Sequence, residues 1–211
     1  MPTFKHSSGK RVFFAHIPRT AGRFVEANLS KNDFKWDDAH LDNGKGIMSI
    51  VNGFEIAHYH RDHYMKYLDT KGIPHFSIVR NPIDRFISAS IYIKRFCGDK
   101  AQQGVEDKNS FLYVLKSIPH RQSINWYRPQ IDFLRSDTHI WKFEDGLGTN
   151  FGDWVSEKLG VPFEIDKYAN YAMNRYEGSF KLDRTPKLID NITKFWREDI
   201  EQFYPELATP L

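Results

Sequence analysis

Two short apolar runs do most to limit what this chain can fold into. Arg11–His16 (RVFFAH) and His75–Arg80 (HFSIVR) have the length and the β-branched and aromatic content of buried strands. Each runs through a turn into a helical pattern. The first passes through Ile17-Pro18-Arg19-Thr20-Ala21-Gly22 into GRFVEANLSK, where Phe24, Val25, Ala27 and Leu29 supply an apolar stripe. The second passes directly into a helix start, with Asn81 as N-cap, Pro82 at the first helical position and Asp84 at the third, suited to the positive end of the helix dipole. Strands alternating with helices predict an α/β protein, with a central parallel sheet of about four to five strands flanked by helices. Such sheets bind ligands where strand carboxyl ends meet helix N-termini. That predicts Ile17–Gly22 and Arg80–Asn81 at one rim.

The remaining segments fit this plan. GFEIAHYH (Gly53–His60) reads as a further strand, RDHYMKYLDTKG as a short helix stopped at Gly72, and THIWKFED (Thr138–Asp145) as a strand. NFGDWVSEKLG reads as a helix ended by Gly160, and KLIDNITKFWREDIEQFYPEL as one long C-terminal amphipathic helix. The segments 31–46, 101–109 and 163–186 read as loops or irregular chain, and 110–118 as a short helix. The chain of 211 residues suits a single domain over 1–211.

Composition narrows the function classes. Thirty basic against 27 acidic residues give a net charge of +3, too even for a nucleic-acid binder and compatible with one local basic pocket. The lone Cys97 forms no internal disulfide and supports no thiolate zinc site; it reads as a packed thiol. There is no apolar run of membrane-spanning length and no signal-peptide core, so a cytoplasmic protein with no membrane span is expected. Asn28-Leu29-Ser30 and Asn191-Ile192-Thr193 match the glycan acceptor pattern by chance, within helices.

The loop after the first strand has the makings of an anion site. A strand–loop–helix unit aims backbone N–H groups and a helix dipole at one point. Arg19 adds a permanent charge with bidentate geometry, Thr20 a hydroxyl and an N–H, and Ala21 and Gly22 keep the backbone open to a ligand. The Walker pattern G-x-x-x-x-G-K-[ST] is absent, which disfavours an ordinary nucleoside-triphosphate kinase. In the second unit, Arg80 ends a strand and Ser88 lies about two helical turns on, so a second anionic group can be held by a charge and a hydroxyl. Arg85 shares a helix face with Ser88, or else pairs with a carboxylate.

HIPRTAG followed by VRNPIDRFISA resembles the two signature motifs of sulfotransferases that use 3′-phosphoadenosine 5′-phosphosulfate (PAPS). The first resembles the 5′-phosphosulfate loop P-K-T-G-G-T-S, and the second the 3′-phosphate motif R-D-P-x-x-R-x-x-S. The segment from Glu55 to Asp99, with His58 and His60 as a His-x-His, is similar to heparan sulfate 2-O-sulfotransferases. The resemblance is strongest over residues 11–98. It implies a P-loop-like sulfotransferase fold, with Arg19, Thr20, Ala21, Gly22, Arg23 and Phe24 at the 5′ end of the donor and Arg80 and Ser88 at its 3′-phosphate. Arg19 stands where the family has lysine, Ala21 where it has glycine, Arg23 and Phe24 where it has hydroxyl residues, and Asn81 where it has aspartate. Arg23 can supply donors in place of the lost hydroxyls.

Sulfuryl transfer to an alcohol requires the hydroxyl proton to leave as the S–O bond forms, and imidazole suits that task. The resemblance makes His60 the base, with His58 orienting it or the acceptor and Arg19 stabilising charge. His58, His60, His63 and Asp62 are also a conceivable zinc set, but no cysteine or HExxH pattern supports one, and no metal is expected. The expected acceptor is a hydroxyl compound, foremost a glycan, met by a rim of Arg61, His63, Lys94, Arg95, Lys100, Arg121 and Arg128, with Tyr92, Trp126 and Tyr127 to stack on sugars. Two alternatives stay open: a kinase-like enzyme using ATP, and a sulfotransferase-fold protein that binds nucleotide or glycan without turnover.

Overall fold

A computed structural model describes residues 3–37, 50–51, 54–91, 125–169 and 184–208. Two compact units emerge, Met1–Val79 with Asp132–Glu177, and Arg80–Ile131 with Gly178–Leu211.

The first unit is built on a five-stranded sheet. Its strands are β1 (Thr3–His6), β2 (Arg11–Ala15), β3 (Phe34–Trp36), β6 (His75–Val79) and β7 (His139–Lys142), in the order β3-β1-β2-β6-β7. The expected parallel arrangement holds for β2, β6 and β7, with Phe14 opposite Phe76 and Ile78 opposite Trp141. β1 runs antiparallel to both its neighbours, β2 and β3, so the sheet is mixed. β1 and β2 form a hairpin, and Gly9 at φ 91° supplies the turn geometry that residues with a Cβ avoid. β3 lies inside the segment read as a loop, because Phe34 and Trp36 flank an exposed lysine on only three residues, too few for a pattern.

Helix α1 (Gly22–Lys31) has the predicted bounds and follows β2 through the loop. Val25 and Leu29 enter the core with Phe14, Phe76 and Ile78. The other expected stripe members, Phe24 and Ala27, are half-buried, and Asn28 is buried in their stead. Asn28 donates to Phe24 O at 3.0 Å and accepts from Asp166 N–H at 2.7 Å, so its amide is an internal strut. Helix α4 (Thr149–Leu159) brings Phe151, Val155 and Leu159 to the same core and ends at Gly160, φ 63°.

GFEIAHYH is not one strand. Among its described residues Phe54–Glu55 forms a strand (β5), paired with Ile50–Val51 (β4), and Ile56–His58 forms a 3-10 turn. The i, i+2 face expected for His58 and His60 therefore does not exist. Helix α2 (Arg61–Tyr67) ends at an extended Leu68, before Gly72. Tyr64 packs 4.6 Å from the Phe13 ring and donates its hydroxyl to Phe133 O at 3.2 Å, which pins α2 to the sheet.

In the second unit the chain is helical over 82–91 (α3). Phe86 and Ala89 pack with Tyr127, Leu188, Ile192 and Trp196. The C-terminal helix is two helices, α5 (Pro186–Phe195) and α6 (Arg197–Phe203), broken at Trp196. The buried indole donates its N–H to Tyr127 O at 3.0 Å, and that tertiary bond overrides the continuous amphipathic pattern. The expected elements at 101–109 and 110–118, most of 163–186, and Tyr92, Lys94, Arg95, Cys97, Lys100 and Arg121 lie outside the described residues.

Candidate active site

The loop between β2 and α1 holds a strained backbone. Arg19 has φ 69° and Ala21 φ 68°, both left-handed without being glycine. Each such residue costs ~1–3 kcal/mol and persists only where its surroundings enforce it. Part of that enforcement is Thr20, which is fully buried and donates its hydroxyl to Ile17 O at 2.9 Å. The hydroxyl is thus a loop strut. Among the described residues α1 has no side-chain cap and no acid in its first turn. Phe24 N–H returns to Ala21 O at 2.9 Å, and the positive dipole end of α1 has no acidic side chain in its first turn to offset it. Arg19 is half-buried, and Arg23 is exposed.

Beneath the loop stands a group that the sequence did not announce. His16, the residue after β2, is 6% exposed. Its Nδ1 donates to Glu26 Oε1 at 2.8 Å, joining the strand end to the second turn of α1. A Cβ on Gly22 would fall 1.8 Å from His16 Nε2. Gly22 is therefore required for space, since the imidazole occupies the volume of any side chain there. The signal available in sequence was a histidine at a strand end and a glutamate one turn past a glycine.

His58 is tied to this platform. Its ring stands 4.5 Å from that of His16, edge-on, and its Nδ1 donates to His16 O at 3.3 Å. Burial, and then the neighbouring His16, hold its pKa well below the ordinary 6.5, although the bond to His16 O works the other way. The neutral ring thus keeps Nδ1–H on the carbonyl. The fold binds fewer protons here than the unfolded chain, so this contribution to stability is present above about pH 6.5 and is lost as the pH falls. His75, lowered chiefly by burial, acts in the same sense. The urea midpoint is expected to drop between pH 7.5 and 5.5, and His58→Gln is expected to flatten that drop.

His60 is 6% exposed, caps α2 through its carbonyl, and meets the His63 ring at 4.3 Å, edge-on. Arg61 donates to Leu134 O at 3.2 Å. Among the described residues no group of three His, Cys, Asp or Glu is placed to hold a metal ion, and no helix is long and apolar enough to cross a membrane.

In the second unit, Arg80 follows β6 directly and Asn81 caps α3 as expected. Its Oδ1 accepts from Ile83 N–H at 2.9 Å and Asp84 N–H at 3.4 Å. Replacing Asn81 by alanine is expected to lower stability by ~1 kcal/mol in chemical denaturation. Ser88 is half-buried on α3. Arg85 is no ligand donor: it is buried, donates to Trp126 O at 3.3 Å, and its charge favours the Asp199 carboxylate. Tyr127 is 5% exposed within the core, with its hydroxyl 3.2 Å from Ser90 Oγ, so it is not a sugar platform; Trp126 is half-buried.

The profile described as "Sulfotransferase family" matches residues 2–157. No curated protein matches the chain significantly. A solved structure of a sulfotransferase from Alicyclobacillus acidocaldarius is similar at 17% identity, over 95% of this chain and 87% of that one, with a TM-score of 0.41.

Proposed function

We propose that this chain, which belongs to the sulfotransferase family, moves a sulfuryl group from PAPS to the hydroxyl of an acceptor, foremost a carbohydrate. The observation that carries this most is the β2–α1 loop. Left-handed Arg19 and Ala21, leading into an α1 N-terminus with no side-chain cap and no acid in its first turn, offer charge and a helix dipole to a multiply charged anion. The residues present thus fit such a donor, which supplies an activated sulfuryl group on a phosphate leaving group.

Arg19, the Thr20 and Gly22 N–H groups and Arg23 hold the 5′ end, alongside Ala21 and Phe24. Arg80 and Ser88 hold the 3′-phosphate. His60 takes the acceptor proton as the new O–S bond forms and the bond to the 5′-phosphate breaks, in line. Arg19 and the loop N–H groups stabilise the charge left on that phosphate. His58, neutral and fixed on His16 O, orients the acceptor side. No metal takes part in this scheme.

The test is transfer of labelled sulfate from PAPS to a panel of uronate-bearing and sulfated oligosaccharides, with small alcohols and a tyrosine peptide alongside. Labelled oligosaccharide is the expected product. Label on the alcohol or peptide alone would overturn the carbohydrate assignment, and no label on any acceptor would overturn turnover.

A further inference from the structure

Within the second unit a chain of bonds ends on the backbone of one residue, Arg80. The Arg80 N–H donates to Gln130 Oε1 at 2.9 Å, and Gln130 Nε2 donates to Arg80 O at 2.8 Å. A single amide side chain thus takes both backbone groups of Arg80, as a neighbouring strand would, one residue beyond the end of β6. Gln130 is itself held. Its N–H and that of Ile131 donate to Asp199 Oδ2 and Oδ1 at 2.8 and 2.9 Å. Gln130 and Asp199 are both 0% exposed. Burial raises the Asp199 pKa, opposed by Arg85 and by these two N–H donors.

We infer that Gln130, anchored by Asp199, is a positioning residue that sets Arg80 for selective recognition of a nucleotide 3′-phosphate. This rests on the donor site proposed above. The clamp acts on the backbone of Arg80, assigned with Ser88 to the 3′-phosphate, and the Asn81 cap follows at once, so Arg80 is fixed relative to α3 and Ser88. An error of ~1 Å in a binding group costs up to about 10²-fold, and a free strand end offers no such control. Elements 69 residues apart in sequence are recruited to this point, and their burial of a carboxylate is costly unless it is fully bonded.

The test compares adenosine 3′,5′-bisphosphate with 5′-AMP, which differ only in the 3′-phosphate, by calorimetry. Gln130→Met keeps the side-chain volume and removes both bonds. The ratio of the two affinities is expected to fall ~10- to 100-fold, with 5′-AMP affinity unchanged and no further fall when the change is added to Arg80→Ala. Asp199→Asn keeps the shape and an acceptor, and is expected to give a smaller loss in the same ratio. It also decides the matter if Gln130→Met does not fold. Unchanged ratios, or equal losses for both nucleotides, would overturn the positioning role. A wild-type ratio near one would overturn the donor assignment itself, and the inference with it.

Discussion

His60→Ala is expected to lower kcat by ~10²–10⁴-fold and to leave adenosine 3′,5′-bisphosphate affinity unchanged. That is the usual cost of removing a general base, the role proposed for His60, without touching the proposed donor cradle. His60 is buried at the start of α2, against His63, so the alanine variant also leaves a cavity. His60→Gln separates the two effects, because it fills the space without accepting a proton. A variant that retains wild-type kcat with an intact fold would remove His60 from the chemistry.

The second large effect belongs to Gly22→Ala. The added methyl meets His16 Nε2 at 1.8 Å, Cδ2 at 2.0 Å and Cε1 at 2.4 Å. These contacts are far inside van der Waals distance, and the ring has no easy escape. It is bonded to Glu26, stacked 5.5 Å from Phe14 and set edge-on to His58. Either the ring leaves Glu26 or the loop lifts. Overpacking of this kind costs ~1–3 kcal/mol, and a shifted loop misplaces its N–H groups by enough to weaken nucleotide binding about 10²-fold. Thermal unfolding and calorimetry on the same variant check both effects. Restored binding in Gly22→Ala/His16→Ala would tie the defect to the ring and not to the loop backbone.

Much of the core was legible because its signals are local. The strand–loop–helix from Arg11 to Lys31 depends on an apolar run, a turn and a 3.6-residue pattern, and α1 has the predicted bounds. The α3 start depends on Asn81 and Pro82 alone. What escaped depends on distant partners. β3 is a three-residue edge strand and β1 a four-residue strand inside it, both defined by pairing. The break at Trp196 is set by a bond to Tyr127, 69 residues away. Gly53–His60 carries strand-forming residues, but among the described residues of that segment only Phe54–Glu55 pairs. The same division runs through the site. Arg19, Thr20, Gly22, Arg80 and Ser88 sit in contiguous motifs, whereas His16–Glu26 and Gln130–Asp199 act through three-dimensional contacts that no spacing rule encodes.

The central claim is that the two basic motifs hold a nucleotide bearing a 3′-phosphate. Calorimetry of adenosine 3′,5′-bisphosphate against ADP, on wild type beside Arg80→Ala and Ser88→Ala, tests it most directly. The account predicts tight binding of the bisphosphate, weak binding of ADP, and loss of that preference in both variants. Equal binding of the two nucleotides, or binding of neither, would contradict it.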